Sequence, residues 1–145
     1  FLFEHLSQFN DKCLIDLSIS SMAVVNFLSD IRNATVANAV IVVFHIYIAF
    51  AIEGLSFLVI VIPVGALIAG AYYFKGKIGA ALLALPTLAY LLIVPDMLEA
   101  LTTSGGDEDI GWFTYVIIPF WLFTILLNFM SIIAEVRGTS NKVDR

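Results

Sequence analysis

Charge is what this chain has least of. Only 13% of its 145 residues are Asp, Glu, Lys or Arg, where soluble domains carry roughly 25%. Basic residues are the scarcer sign, 7 against 12 acidic, and the net charge is −5. That balance excludes nucleic acid as a partner, because phosphate neutralisation needs clustered Lys and Arg. It also disfavours a polybasic membrane-surface anchor. Cysteine is nearly absent. Cys13 stands alone, which rules out an intrachain disulfide and a Cys-based metal cluster within one chain. No catalytic signature is present: no G-x-S-x-G, no H-E-x-x-H, no P-loop and no Gly-rich dinucleotide motif. The chain is therefore read as non-catalytic in itself, although it can belong to a membrane enzyme. No internal repeat is visible, which weakens an inverted-repeat transporter reading.

What fills the space is hydrophobicity. Apolar residues make up 61% of the chain and the mean hydropathy is +0.99. Soluble domains hold roughly 45–50%, so lipid is the expected solvent. Residues 1–145 leave no room for a soluble domain beside the apolar runs and read as one membrane domain.

A helix rises about 1.5 Å per residue, so about 20 apolar residues cross a hydrocarbon core of roughly 30 Å. Four segments qualify: about 34–52, 55–74, 78–95 and 112–134. The apolar run from 34 to 74 is too long for one crossing. Glu53-Gly54 near its middle reads as a turn at the interface, since glycine tolerates turn dihedrals. The fold class is an all-α integral membrane protein with four transmembrane helices, preceded by an amphipathic segment at 1–31 and followed by a polar tail at 135–145. In the first segment Leu2, Leu6, Phe9, Cys13 and Leu17 recur at helical spacing. Its acidic polar face favours a protein partner over anionic lipid. The opening FLFEHLSQFNDK has no basic lead and does not read as a signal peptide.

Four crossings sort the charges. The termini and the 75–77 loop share one side and hold Lys12, Arg32, Lys75, Lys77, Arg137, Lys142 and Arg145. The opposite side holds Glu53, Asp96, Glu99, Asp107, Glu108 and Asp109, with no basic residue. Lys and Arg mark the cytoplasmic side, or the matrix side in a mitochondrion, so both termini are expected there. Tyr72, Tyr73, Trp112 and Tyr115 sit at the span ends, where amphipathic rings favour the headgroup level. The acidic loop at 107–109 reads as solvated.

Polar groups inside the spans need partners. The first span offers Thr35, Asn38, His45 and Glu53 on one face. The fourth offers Trp121, Thr124, Asn128, Ser131 and Glu135 at steps of three and four, also one face. These faces are expected to meet, within one bundle or across a subunit boundary. The candidate intramembrane contacts are Asn38, His45, Glu53, Thr124, Asn128 and Ser131. His45 is expected to be neutral and bonded to Thr124 or Asn128, or to a neighbouring subunit. A haem or pigment ligand and a proton relay are the sharper alternatives for it. No cofactor or metal is implied; lipids are.

The second and third spans carry small residues. Gly65, Ala69, Ala66, Gly70, Gly79, Ala80 and Ala84 suggest a tight hairpin. Pro63, Pro86 and Pro119 fall inside spans, where each removes a helix hydrogen bond and favours a kink. Kinked helices beside a straight first span can enclose a cavity. Two function classes follow. One is a non-catalytic subunit of a larger membrane complex, energy-transducing or transport in type, with other membrane subunits as partners. The alternative is a small homo-oligomeric ion or proton channel or carrier lined by the polar faces.

Overall fold

The computed structural model describes residues 18–74, 76–102 and 111–138. The amphipathic spacing of residues 2–17, Lys75, the acidic triplet 107–109 and the tail from 139 lie outside the described residues. The helical elements follow from apolar runs in the sequence. α1 (Ser18–Ser29) is a short apolar helix. Asp30 separates it from α2 (Ile31–Ile48) and caps α2 by accepting the Arg32 N–H at 2.8 Å, the usual role of Asp at a helix start. α2 then widens into a single π-type turn over Ala49–Glu53. Gly54 follows at φ 86° and ψ 168°, a region essentially reserved for glycine. A 3₁₀ turn, Leu55–Phe57, leads into α3 (Leu58–Phe74). Only residue 75 separates α3 from α4 (Gly76–Thr102). α5 (Thr114–Arg137) completes the chain and ends on Gly138 in the left-handed conformation.

The protein is all-α, and its four longer helical stretches, Ile31–Glu53, Leu55–Phe74, Gly76–Thr102 and Thr114–Arg137, are each long and apolar enough to cross a membrane. They form a ring in which each helix lies against its neighbours in sequence and α5 closes back onto α2. Large side chains such as Val59, Ile62, Tyr73 and Leu92 cover the outside. That is the expected arrangement where the solvent is lipid.

Two differences from the sequence reading have physical causes. The helix that carries the third span does not stop at 95. α4 runs on through Pro95 to Thr102, because proline in a membrane helix forfeits one hydrogen bond without forcing an end. At about 1.5 Å per residue its 27 residues reach about 40 Å, longer than a hydrocarbon core of roughly 30 Å. Its last turns therefore extend past one, and Asp96 and Glu99 lie there, exposed. The hairpin's tightest approach also differs. A Cβ on Gly79 would sit 2.8 Å from the Ala71 carbonyl oxygen, whereas one on Gly70 would meet only the Leu82 side-chain end at 3.0 Å. Gly65 faces α2 instead, at 3.5 Å from Val42.

The bundle has two kinds of interior. Near the α3–α4 hairpin, called here the hairpin end, the core is Ile31, Ala34, Ala37, Ala71, Leu83 and Leu127. Toward the opposite, far end it is Ile41, Tyr90, Met97, Ile117, Ile118, Trp121 and Ile125.

Candidate functional site

The α2–α5 seam gathers most of the buried polar side chains. Asn38 and Asn128 are fully buried and face each other. Asn38 Nδ2 donates to Asn128 Oδ1 at 2.5 Å, and Asn128 Nδ2 donates back to Asn38 Oδ1 at 3.4 Å. Asn38 Nδ2 also donates to the Ala34 carbonyl at 2.7 Å. A paired amide suits this place because each side chain carries both donor and acceptor. One turn further along α5, Ser131 Oγ donates to the Leu28 carbonyl at 3.4 Å. This contact ties α5 to the elbow between α1 and α2. Thr35 and Thr124 turn back on their own helices, to the Ile31 and Phe120 carbonyls, both at 2.9 Å. Glu135 is buried, with Oε2 4.0 Å from where a Cβ on Gly76 would stand. Its carboxylate thus lies by the first residue of α4, the positive end of that helix dipole.

Within the chain His45 reaches neither Thr124 nor Asn128. Its Nδ1 lies 2.7 Å from the Ile41 carbonyl, one turn back on its own helix. A carbonyl only accepts, so Nδ1 carries the proton, and a neutral ring then leaves Nε2 as an acceptor. Across the seam the ring meets Trp121 edge to face, with centroids 4.9 Å apart. The register explains the change. Seven residues separate Asn38 from His45, and seven separate Trp121 from Asn128. Once the asparagines pair, antiparallel helices carry His45 two turns on, to Trp121. Glu53 takes no part in the seam; it is exposed at the end of the π turn beside Gly54.

His45 and Trp121 line a partly open cavity of about 270 Å³ whose wall also includes the exposed Ile60 and Ile93. All four long helical stretches contribute: Val42 and His45 from the first, Phe57 and Val61 from the second, Tyr90 from α4 and Trp121 from α5. The His45 ring stacks near Phe57 at 5.9 Å, and Tyr90 meets Trp121 edge to face at 5.3 Å. No lining residue is charged. The three expected prolines lie close by: Pro63 adjoins Val64, Pro86 precedes Ala89 by three residues and Pro119 precedes Trp121 by two. Two wall residues carry buried hydrogen-bonding atoms with no partner, Tyr90 Oη and Trp121 Nε1. An unsatisfied buried group costs about 1–3 kcal/mol, so two of them in one wall are unusual in a well-made interior.

Tyr90 and Phe57 were not among the residues singled out from the sequence. A signal for Tyr90 existed: membrane tyrosines favour the interfaces, and this one lies mid-helix. Phe57 gave none, being one of 12 phenylalanines. Among the described residues no three His, Cys, Asp or Glu side chains gather as a metal-ligand set. The chain matches no protein-family model, no curated protein and no solved structure.

Proposed function

We propose that this chain is a non-catalytic, multi-pass membrane subunit that works by packing against other membrane chains in a larger complex. The observation that carries the reading is α1. Ile19, Met22, Val24, Val25 and Phe27 are each more than half exposed. At about 1.5 Å per residue, its described part, Ser18–Ser29, spans about 18 Å. It is held at a defined elbow, where Asn33 Nδ2 donates to the Phe27 carbonyl at 2.9 Å and Ser131 grips Leu28. An apolar helix fixed at one end and bare along its length suits contact with a second chain. The channel alternative needs the α2 and α5 polar groups to face water, and pairing of Asn38 with Asn128 works against that. The distribution of Lys and Arg supports placing both termini on the cytoplasmic or matrix side.

The test is extraction in mild detergent, followed by mass measurement of the intact assembly and cross-linking from Val24→Cys in a Cys13→Ser background. Other chains should co-purify, and one of them should cross-link at position 24. A lone chain, or a homo-oligomer with no heterologous cross-link, would overturn the proposal.

A further inference from the structure

We infer that the cavity beside His45 is a binding site for a small, uncharged aromatic compound carrying one hydrogen-bond donor, of the phenol or indole class. The inference is independent of whether the chain works within a complex.

His45 supplies the recognising atom. Its Nδ1 donates to the Ile41 carbonyl, so in the neutral ring Nε2 is an acceptor. Among the described residues Nε2 has no hydrogen-bond partner. The buried side-chain atoms in that condition are Tyr90 Oη and Trp121 Nε1. Nε2 is not one of them, so it keeps open surface. Two larger hollows beside α2, of about 680 and 420 Å³, are lined without His45. The cavity of about 270 Å³ is the one that its ring lines, and the open edge belongs there. Nδ1 is held against α2, and Nε2 lies on the far side of the ring from that contact.

The rest of the wall then selects the occupant. Tyr90 and Trp121 turn no open polar atom to it, and the other lining side chains are hydrocarbon. Nε2 is therefore the one open side-chain acceptor. Water is a poor fit, because a buried water needs two to four polar partners. An ionic guest would shed its hydration without compensation. A lipid chain leaves the acceptor unmatched. A phenol or indole matches it with a single contact: each has one strong donor, and conjugation makes its own oxygen or nitrogen a weak acceptor. Size agrees, since an apolar space of about 150 Å³ takes up benzene and this one admits a ring with small substituents. Shape agrees too, because Phe57, Tyr90 and Trp121 in the wall are rings, which pack face or edge on a planar guest. Ile60 on α3 and Ile93 on α4 line the cavity and are exposed, so a guest dissolved in hydrocarbon can enter between those helices.

The experiment uses the full chain in lipid nanodiscs with Trp112→Phe. The sequence has 2 tryptophans, so Trp121 is then the only one, and its emission reports occupancy of the cavity. The probes are 4-ethylphenol, 4-ethyltoluene, in which methyl replaces the hydroxyl, and 4-ethylanisole, in which the donor is blocked. Affinities are referred to the probe concentration in the lipid, measured with empty nanodiscs. 4-Ethylphenol should bind saturably and about fivefold more tightly than either other probe, the worth of one recovered hydrogen bond. His45→Phe should abolish that preference and leave 4-ethyltoluene unchanged. Ala89→Phe, which narrows the cavity, should weaken all three, with thermal unfolding as a folding control. Equal binding of 4-ethylphenol and either other probe, or no saturable binding to a folded protein, overturns the proposal. So does a preference for 4-ethylphenol that survives in His45→Phe. The probe comparison in the unaltered cavity decides even where a variant fails to fold. A lipid chain that occupies the cavity and resists displacement counts as no saturable binding.

Discussion

Around Asn38 the helices close on alanine, glycine and a paired amide; around Trp121 they close on large rings and leave a hole. The hairpin-end core is built from Ala34, Ala37 and Ala71 with Leu83 and Leu127. Small side chains let backbones approach, and close approach lets short polar groups reach across. At the far end the core is built from large side chains, Tyr90, Trp121 and Met97 among them, and Tyr90 Oη and Trp121 Nε1 have no hydrogen-bond partner. The two regions lie on the same helices, two turns apart. The same kind of residue, a polar side chain on an inward face, has become a lock in one region and an open valence in the other. What differs is the volume of its neighbours.

The strongest way to break this contrast is to remove the close approach. Gly79→Leu puts a side chain where even a Cβ lies 2.8 Å from the Ala71 carbonyl. Backbone cannot yield as a side chain can, so the loss should reach or exceed the upper part of the usual overpacking range, about 3 kcal/mol. Gly70→Leu displaces only a leucine end and should cost roughly half as much on the same scale. Thermal unfolding of the two purified variants checks this order; equal losses would mean that the hairpin is not set by the Gly79–Ala71 contact.

A smaller effect should separate the two kinds of polar group. Asn128→Leu strands Asn38 in a closed interior and should destabilise by about 1–3 kcal/mol. Tyr90→Phe removes a hydroxyl that has no partner, so the unliganded protein should be unchanged or slightly more stable. A loss of a full kcal/mol or more in Tyr90→Phe by unfolding in detergent, about the worth of a made hydrogen bond, would show that its hydroxyl is engaged after all and that the regions do not differ.

Much of the architecture was legible because apolar runs are long and lipid tolerates little else. The second span was placed at 55–74, and the helical stretch is Leu55–Phe74. The helix that carries the third span runs beyond 95 to Thr102, because a single proline in a mostly apolar segment does not end a helix. The polar faces of α2 and α5 were visible as steps of three and four. The pairing across them was not. Counting depth from span ends carries an error of about a turn on each helix, and two turns exchange Asn38 for His45 as the partner of Asn128. The cavity left only its three prolines in the sequence. Its wall comes from four separate helical stretches, and no local pattern records where they converge.

The most direct measurement of the central claim is a double-mutant cycle on Asn38 and Asn128, read by unfolding of the purified chain in detergent or bicelles. Each single change to Leu should be destabilising, and the double change should cost less than the two singles together. The shortfall should be about 0.6 kcal/mol or more, the mean for hydrogen bonds between membrane helices, and up to about 1.7. Strictly additive losses would mean that the two amides do not hold each other, and that the seam is not the lock described here.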